Sequence, residues 1–205
     1  MAVAELVWDM DGTLLDSTVV VPAAFVRAVA RLGGQPVSPA QAVAAYPVGT
    51  PEAILAHLVG RPLGPHETDV YYQELHGAQV APYPGIVQTL AALRERGRAV
   101  AVFTGASTRG ARMLLDAAGL TVDVLIGGDH VRRPKPAGDG VLLAAERLEV
   151  APGAVAYIGD SPLDLRAAAA AGSVGAAATW GHLYDAREPA DYTLTRPEAA
   201  LDLLR

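Results

Sequence analysis

From about Pro84 onward the chain alternates short runs rich in Val and Ala with segments whose apolar residues recur at helical spacing. No other feature restricts the fold as much, because repeated strand and helix units of this size pack as a parallel sheet with helices over its faces. The apolar runs fall at 99–104, 122–126, 155–160 and 174–179. Between them Ile86, Leu90 and Leu93, then Ala111, Leu114, Leu115 and Ala118, then Val141, Ala144, Ala145 and Leu148 mark the buried faces of three helices. Gly97, Gly119 and Gly172 stand where helices must stop and predict left-handed C-caps. Residues 4–10 supply one more strand at the N-terminus. The expected class is α/β, a Rossmann-like parallel sheet with helices on both faces.

The alternation breaks once. Residues 17–82 carry helical spacing (Phe25, Ala28, Val29 and Leu32; then Ile54, Leu55, Leu58 and Val59) and no convincing strand. This segment reads as a small α-helical domain inserted after the first strand, which divides the chain into a core of residues 1–16 and 83–205 and an insert of 17–82. Asp16 and Ser17 are placed to cap the first helix of the insert, and the Pro82, Tyr83, Pro84, Gly85 stretch to break structure at its far end. No internal repeat is visible.

Composition removes several classes of function. With 51% hydrophobic and 19% charged residues the chain can build a packed core and is not a disordered tail. Sixteen Lys and Arg against 22 Asp and Glu give a net charge of −6, and no basic stripe interleaved with aromatics occurs, so nucleic acid is not an expected partner. Cysteine is absent, which excludes a disulfide framework and thiolate metal sites and suits a reducing cytosol. No signal peptide is recognised, and the longest uncharged apolar stretch, within 167–184, is mostly Ala and Gly with a helix stop at Gly172, so no membrane span is expected. A cytoplasmic monomer or homodimer is the expectation. One oddity remains: of the 16 basic residues only Lys135 is a lysine.

In an open parallel sheet, ligands bind beyond the carboxyl ends of the strands. The first strand ends in Asp9, Met10, Asp11, Gly12, Thr13, two carboxylates on the same side followed by a glycine that lets backbone amides approach an anion. One carboxylate could attack an electrophile while the other handles a proton, with a divalent cation offsetting their repulsion. Alone, this pattern fits a solvated acidic loop as well as it fits a site. Three further segments enrich it: Thr104, Gly105, Ala106 and Ser107 offer a hydroxyl and helix amides to a phosphate; Arg132, Arg133, Pro134, Lys135 and Pro136 precede a helix; Gly159, Asp160, Ser161, Pro162, Leu163 and Asp164 add two hard oxygen ligands.

Taken in order, DMDGT at 9–13, Thr104, Lys135 and GDSPLD at 159–164 resemble the motifs of the haloacid dehalogenase-like superfamily. PYPG at 82–85 and RPKPAGDG at 133–140 are similar to phosphoglycolate phosphatase relatives, and the insert resembles their small helical cap in position and length. The resemblance implies a magnesium-dependent phosphatase acting on a small phosphorylated metabolite. Asp9 would be the nucleophile, Asp11 the general acid and base, and Thr104, Gly105 and Lys135 the phosphate-binding groups. Mg2+ would lie on Asp9, Asp160 and the backbone carbonyl of Asp11, with Asp164 supporting Lys135 or the outer metal shell.

Single residues separate this reading from its neighbours. Dehalogenases lack the second Asp, present here as Asp11. Schiff-base hydrolases need a lysine in the cap, and residues 17–82 contain none. Phosphosugar mutases of the β-phosphoglucomutase kind usually carry a His shortly after the first motif, where Thr18 to Pro22 contain none; they remain the weaker enzymatic alternative. A catalytically silent binding module on the same fold is the other alternative. The loop from Tyr46 to Pro51, with Gly49, is a candidate to face substrate. His57, His66 and His76 make no metal pattern, Arg109 and Arg112 read as a solvated helix face, and Trp180 and His182 as plain loop residues that could rim the mouth.

Overall fold

A computed structural model describes residues 3–205, so that residues 1 and 2 of the expected core lie outside the described residues. Along the chain run strands β1 (Glu5–Trp8), β2 (Leu15–Asp16), β3 (Ala81–Pro82), β4 (Ala101–Phe103), β5 (Val124–Ile126), β6 (Val155–Gly159), β7 (Val174–Ala178) and β8 (Tyr192–Leu194). The helices are α1 (Val20–Arg31), α2 (Pro39–Ala44), α3 (Pro51–Val59), α4 (Pro65–Leu75), α5 (Ile86–Glu95), α6 (Thr108–Ala117), α7 (Asp139–Arg147) and α8 (Pro162–Ala171).

Six strands pair in parallel in the order β5-β4-β1-β6-β7-β8. The chain therefore builds outward from β1 to one side and then returns to build on the other. The crevice beyond the carboxyl ends of β1 and β6 is the switch point where such sheets take ligands.

Both faces of the sheet are buried, and side chains alternate between them. Leu6, Trp8, Val102, Ala156 and Ile158 share one apolar cluster with Ile86, Leu90 and Leu93 of α5 and Ala111, Leu114 and Leu115 of α6. Val7, Phe103, Val155 and Tyr157 face the other way, into Val141, Ala144 and Ala145 of α7 and Ala167, Ala168 and Ala171 of α8. Small residues let this second layer come close, since a Cβ on Gly138 would stand 2.7 Å from the Ala171 nitrogen. Gly97, Gly119 and Gly172 end their helices at φ of 70°, 67° and 69°, as their placement predicts.

The inserted segment is helical but richer than its spacing suggests, with α1 to α4 and a short 3-10 turn at Tyr46–Val48. It does contain strand: β3 pairs antiparallel with β2, matching Leu15 with Pro82 and Asp16 with Ala81. Two-residue strands are too short to show alternation, which is why this ribbon is invisible in the sequence. The expected cap of α1 is also corrected. Its N-cap is Val19, with no side-chain hydrogen bond, while Asp16 accepts a 2.6 Å bond from the Thr18 hydroxyl inside the turn. Strand β8 carries no apolar run in the sequence, because Tyr192 and Thr193 are exposed and only Leu194 is buried.

Gly140, in the first turn of α7, lies so close to the sheet that a Cβ would fall 2.1 Å from the Phe103 ring. Helix propensity favours Ala over Gly by about 1 kcal/mol. Overpacking a buried ring costs about 1–3 kcal/mol and should prevail. Gly140→Ala is therefore expected to lower stability in urea by up to about 2 kcal/mol; equal or higher stability would show that Phe103 has room to yield.

Candidate active site

The chain leaves β1 through Asp9, whose amide still donates to Ile158 O (2.8 Å), and then curls tightly. The carbonyl of Met10 accepts from the amides of Leu14 and Leu15, both at 2.9 Å, which fixes a loop just beyond the strand. Gly12 makes the curl possible. Its φ is +83°, and a Cβ there would stand 2.5 Å from Asp160 Oδ2. Gly181 clears the other flank, where a Cβ would sit 2.2 Å from Asp160 Cβ.

Lys135 enters this group from the loop ahead of α7. Its Nζ donates to Asp9 Oδ1 and to Asp164 Oδ1, both at 2.6 Å, and lies 5.0 Å from the Phe103 ring centre and 5.3 Å from that of Tyr157. Asp164 is fully engaged. Its Oδ1 also accepts from the Tyr157 hydroxyl (3.2 Å), and its Oδ2 accepts from the amide (3.0 Å) and hydroxyl (2.6 Å) of Ser161. Ser161 and Asp164 form the capping box of α8, so one carboxylate both starts a helix and aims the lysine. Thr104 is buried after β4; its Oγ1 accepts from the Ala106 amide at 3.1 Å, leaving the hydroxyl proton free to donate.

Asp9, Asp160 and Asp164 each bring a carboxylate oxygen within 4.8 Å of the others, and Asp11 adds a fourth acid outside that trio. One ammonium cannot balance them. Burial, with help from Asp164, holds the Asp9 carboxyl well above the usual range against the opposing pull of Lys135. Burial and then Asp164 push Asp160 up to about 7. Burial raises Asp11 too, with the Ser17 hydroxyl working against the rise. Although burial opposes its charge, Asp164 and Asp9 together hold Lys135 firmly protonated.

The donor set fits a hard divalent cation. Asp160 Oδ1 and Asp11 Oδ1 are buried acceptors without a hydrogen-bond partner. Asp160 Oδ2 takes the Leu183 amide at 2.9 Å, which steadies the carboxylate without using its other oxygen. Asp164, saturated by Lys135, Tyr157 and Ser161, fits a supporting role better than direct ligation.

Asp9, Asp11, Thr104, Gly105, Lys135, Asp160 and Asp164 all border one cavity of about 350 Å³ between the sheet edge and the inserted helices. Tyr46, Pro47, Gly49 and Pro51 border it as well, so the candidate loop does face the site. His182 lines the mouth, with Nδ1 3.7 Å from Asp160 Oδ2, while Trp180 donates to the Thr13 carbonyl (2.9 Å) behind it. His57, His66, His76 and Arg112 lie outside the lining. Arg109 is not a merely solvated residue: it pairs with Asp69 of α4 and stacks 4.2 Å over the Tyr72 ring. Tyr72 contacts Glu52 and meets Ser107 Oγ at 2.6 Å, a junction between insert and sheet layer that sequence spacing gave no means of finding.

These strand-end carboxylates around a buried lysine define a class of hydrolase, and comparison with known proteins gives the same class. The family model for haloacid dehalogenase-like hydrolases matches residues 6–172. The chain belongs to that family. It is 33% identical over 188 residues to "Probable phosphatase IndB" of Dickeya dadantii (86% of this chain, 81% of that protein). It is 29% identical over 204 residues to a phosphoglycolate phosphatase of Aquifex aeolicus (97% and 95%). The solved structure of CbbY from Rhodobacter sphaeroides in complex with phosphate superimposes with a TM-score of 0.83 at 23% identity, covering 98% of this chain and 99% of that one.

Removing the ammonium would leave Asp9 and Asp164 facing each other without compensation. Lys135→Met is therefore expected to lose about 3 kcal/mol of stability at neutral pH. Urea unfolding checks this, and an unchanged midpoint would mean that the lysine does not hold the site together.

Proposed function

We propose that this haloacid dehalogenase-like enzyme, a phosphoric monoester hydrolase of the phosphoglycolate phosphatase-like kind, cleaves a small phosphorylated metabolite by way of an acyl phosphate (aspartyl phosphate) on Asp9. The observation that carries the reading is Lys135 Nζ, held at 2.6 Å from both Asp9 and Asp164 beside the unpartnered Asp160 Oδ1 at the switch point of the sheet. The inserted residues 17–82 are proposed as a cap that closes the cavity from above.

A carboxylate oxygen of Asp9 attacks phosphorus and the bond to the ester oxygen breaks. Asp11, whose pKa burial raises, gives a proton to the departing alkoxide. As a carboxylate it then takes a proton from water, which attacks the same phosphorus and releases inorganic phosphate and Asp9. Thr104 donates its hydroxyl proton to a phosphoryl oxygen, and the Lys135 ammonium sets its charge between phosphate and nucleophile. Magnesium held by Asp9, Asp160 and the Asp11 carbonyl would offset the acidic charge and polarise the phosphoryl oxygens.

Asp9→Asn is expected to fold and bind phosphate yet lose at least about a thousandfold in kcat, because the amide is no nucleophile. Near-normal turnover of an aryl phosphate would remove Asp9 from the reaction. Lys135→Arg keeps the charge but replaces a compact ammonium with a broad guanidinium in a cleft already closed by Asp9, Asp164 and two rings. Its kcat should fall about a hundredfold; full activity would show that charge alone suffices.

Chelation should abolish turnover, and Mg2+ should raise the Tm of the wild type but not of Asp160→Ala. An equal Tm rise in that variant would take Asp160 out of the metal site.

A further inference from the structure

The catalytic end of the cavity is crowded with charge, but the wall that the inserted helices and α6 contribute carries none. Val21, Phe25, Tyr46, Ile54, Tyr71 and Leu114 form much of that wall. Its rings are packed as a unit. Phe25 and Tyr71 stack with centroids 4.4 Å apart and planes at 25°, and Tyr46 leans on Phe25 at 6.5 Å.

Lys135 is the one permanent cation of the lining, and it is committed to Asp9 and Asp164. The arginines of the insert pair with carboxylates of the insert, Arg27 and Arg31 with Glu74 and Arg61 with Glu67, and Arg109 of α6 pairs with Asp69. His182, the remaining basic group of the lining, stands with Nδ1 3.7 Å from Asp160 Oδ2, at the catalytic end. A substrate bearing a carboxylate or a second phosphate beyond the reacting one would thus set an anion against apolar side chains with no partner, which is strongly unfavourable. A flat apolar group meets the opposite conditions, because it can pack offset or edge-on against the half-buried Tyr46 ring, which the buried Phe25 and Tyr71 back, with no charge left unpaired. The hydroxyls of Tyr46 and Tyr71, the polar ends of that wall, suit one or two uncharged polar substituents.

Resting on the phosphatase reading above, we infer that the preferred substrate is the phosphomonoester of an uncharged, apolar, ring-bearing alcohol, recognised by the Phe25, Tyr46 and Tyr71 wall, rather than the ester of a hydroxy acid such as glycolate. The wall, not the strand-end motifs, selects it.

The test compares kcat/KM with Mg2+ for benzyl phosphate, 2-phenylethyl phosphate, glycerol 3-phosphate and phosphoglycolate. All four release aliphatic alcohols, so leaving-group reactivity does not decide the ranking. Both ring-bearing esters are expected to exceed phosphoglycolate by about a hundredfold. Tyr46→Ala should shrink that ratio about tenfold. In the exposed, cavity-lining Ala44→Arg variant a new guanidinium should turn the ratio toward phosphoglycolate. Equal or better turnover of phosphoglycolate or glycerol 3-phosphate by the wild type overturns the inference, as does a ratio that neither variant moves.

p-Nitrophenyl phosphate separates the two levels of the argument. If it is hydrolysed while the ranking fails, the apolar specificity alone is wrong. If neither it nor any of the four esters is hydrolysed, the phosphatase reading falls and takes this inference with it.

Discussion

The ammonium of Lys135 is the contact on which the catalytic end of the molecule depends. It joins parts of the chain that share no local structure: Asp9 just beyond β1, Asp164 in the first turn of α8, and its own loop ahead of α7. Each partner carboxylate is buried, and burial of an unpaired carboxylate is costly enough that the group would otherwise give up its charge. The raised Asp9 and Asp160 carboxyls show that one cation is too few even so. A divalent ion held among these carboxylates would offset their mutual repulsion. A chain otherwise furnished almost wholly with arginine carries its one lysine where a compact charge fits between two buried carboxylates.

Such a site lowers stability locally and must be carried by structure around it. Two apolar layers, one on each face of the sheet, hold the ends of β1, β4 and β6 in register, with β1 paired on both sides to β4 and β6. The closeness of the α7 and α8 layer matters directly, since it sets Phe103 and Tyr157 beside Lys135 and brings the Tyr157 hydroxyl to Asp164. Packing and electrostatics therefore meet in the same two aromatic residues. The capping box of α8 plays a similar double part, because the geometry that satisfies the first amides of the helix also fixes the direction of the Asp164 carboxylate.

What could be read from sequence follows from the range of the forces involved. The parallel sheet, the helix stops at Gly97, Gly119 and Gly172, and the strand-end motifs are recorded in spacings of a few residues, and local periodicity exposes them. Asp164 was legible only as a motif member; its four hydrogen bonds come from Lys135, Tyr157 and Ser161, and only Ser161 is a near neighbour in the chain. The β2 and β3 ribbon is too short to carry a pattern, and β8 hides behind two exposed residues. Arg109 looked solvated because its partners, Asp69 and Tyr72, lie in another helix far away in sequence. The aromatic wall was equally hidden: Phe25, Tyr46 and Tyr71 are scattered over α1, a 3-10 turn and α4, and only the folded insert stacks them.

These two kinds of determinant have different consequences for function. The carboxylates and lysine act through charge at fixed short distances, so their identity and spacing are tightly constrained and the family can be read from them. The wall acts through shape and apolar area, where many combinations of residues give similar burial and a few substitutions redirect preference. It is also tied to the sheet layer by contacts on its own margin, Tyr72 to Ser107 and Arg109 to Asp69, and by the single ribbon of β2 and β3. The insert can therefore change its inner face while its edges keep it seated over the same strand ends. Resemblance to a phosphoglycolate phosphatase along nearly the whole chain is thus compatible with a different substrate, because the proposed selectivity rests on Phe25, Tyr46 and Tyr71 and not on the strand-end motifs.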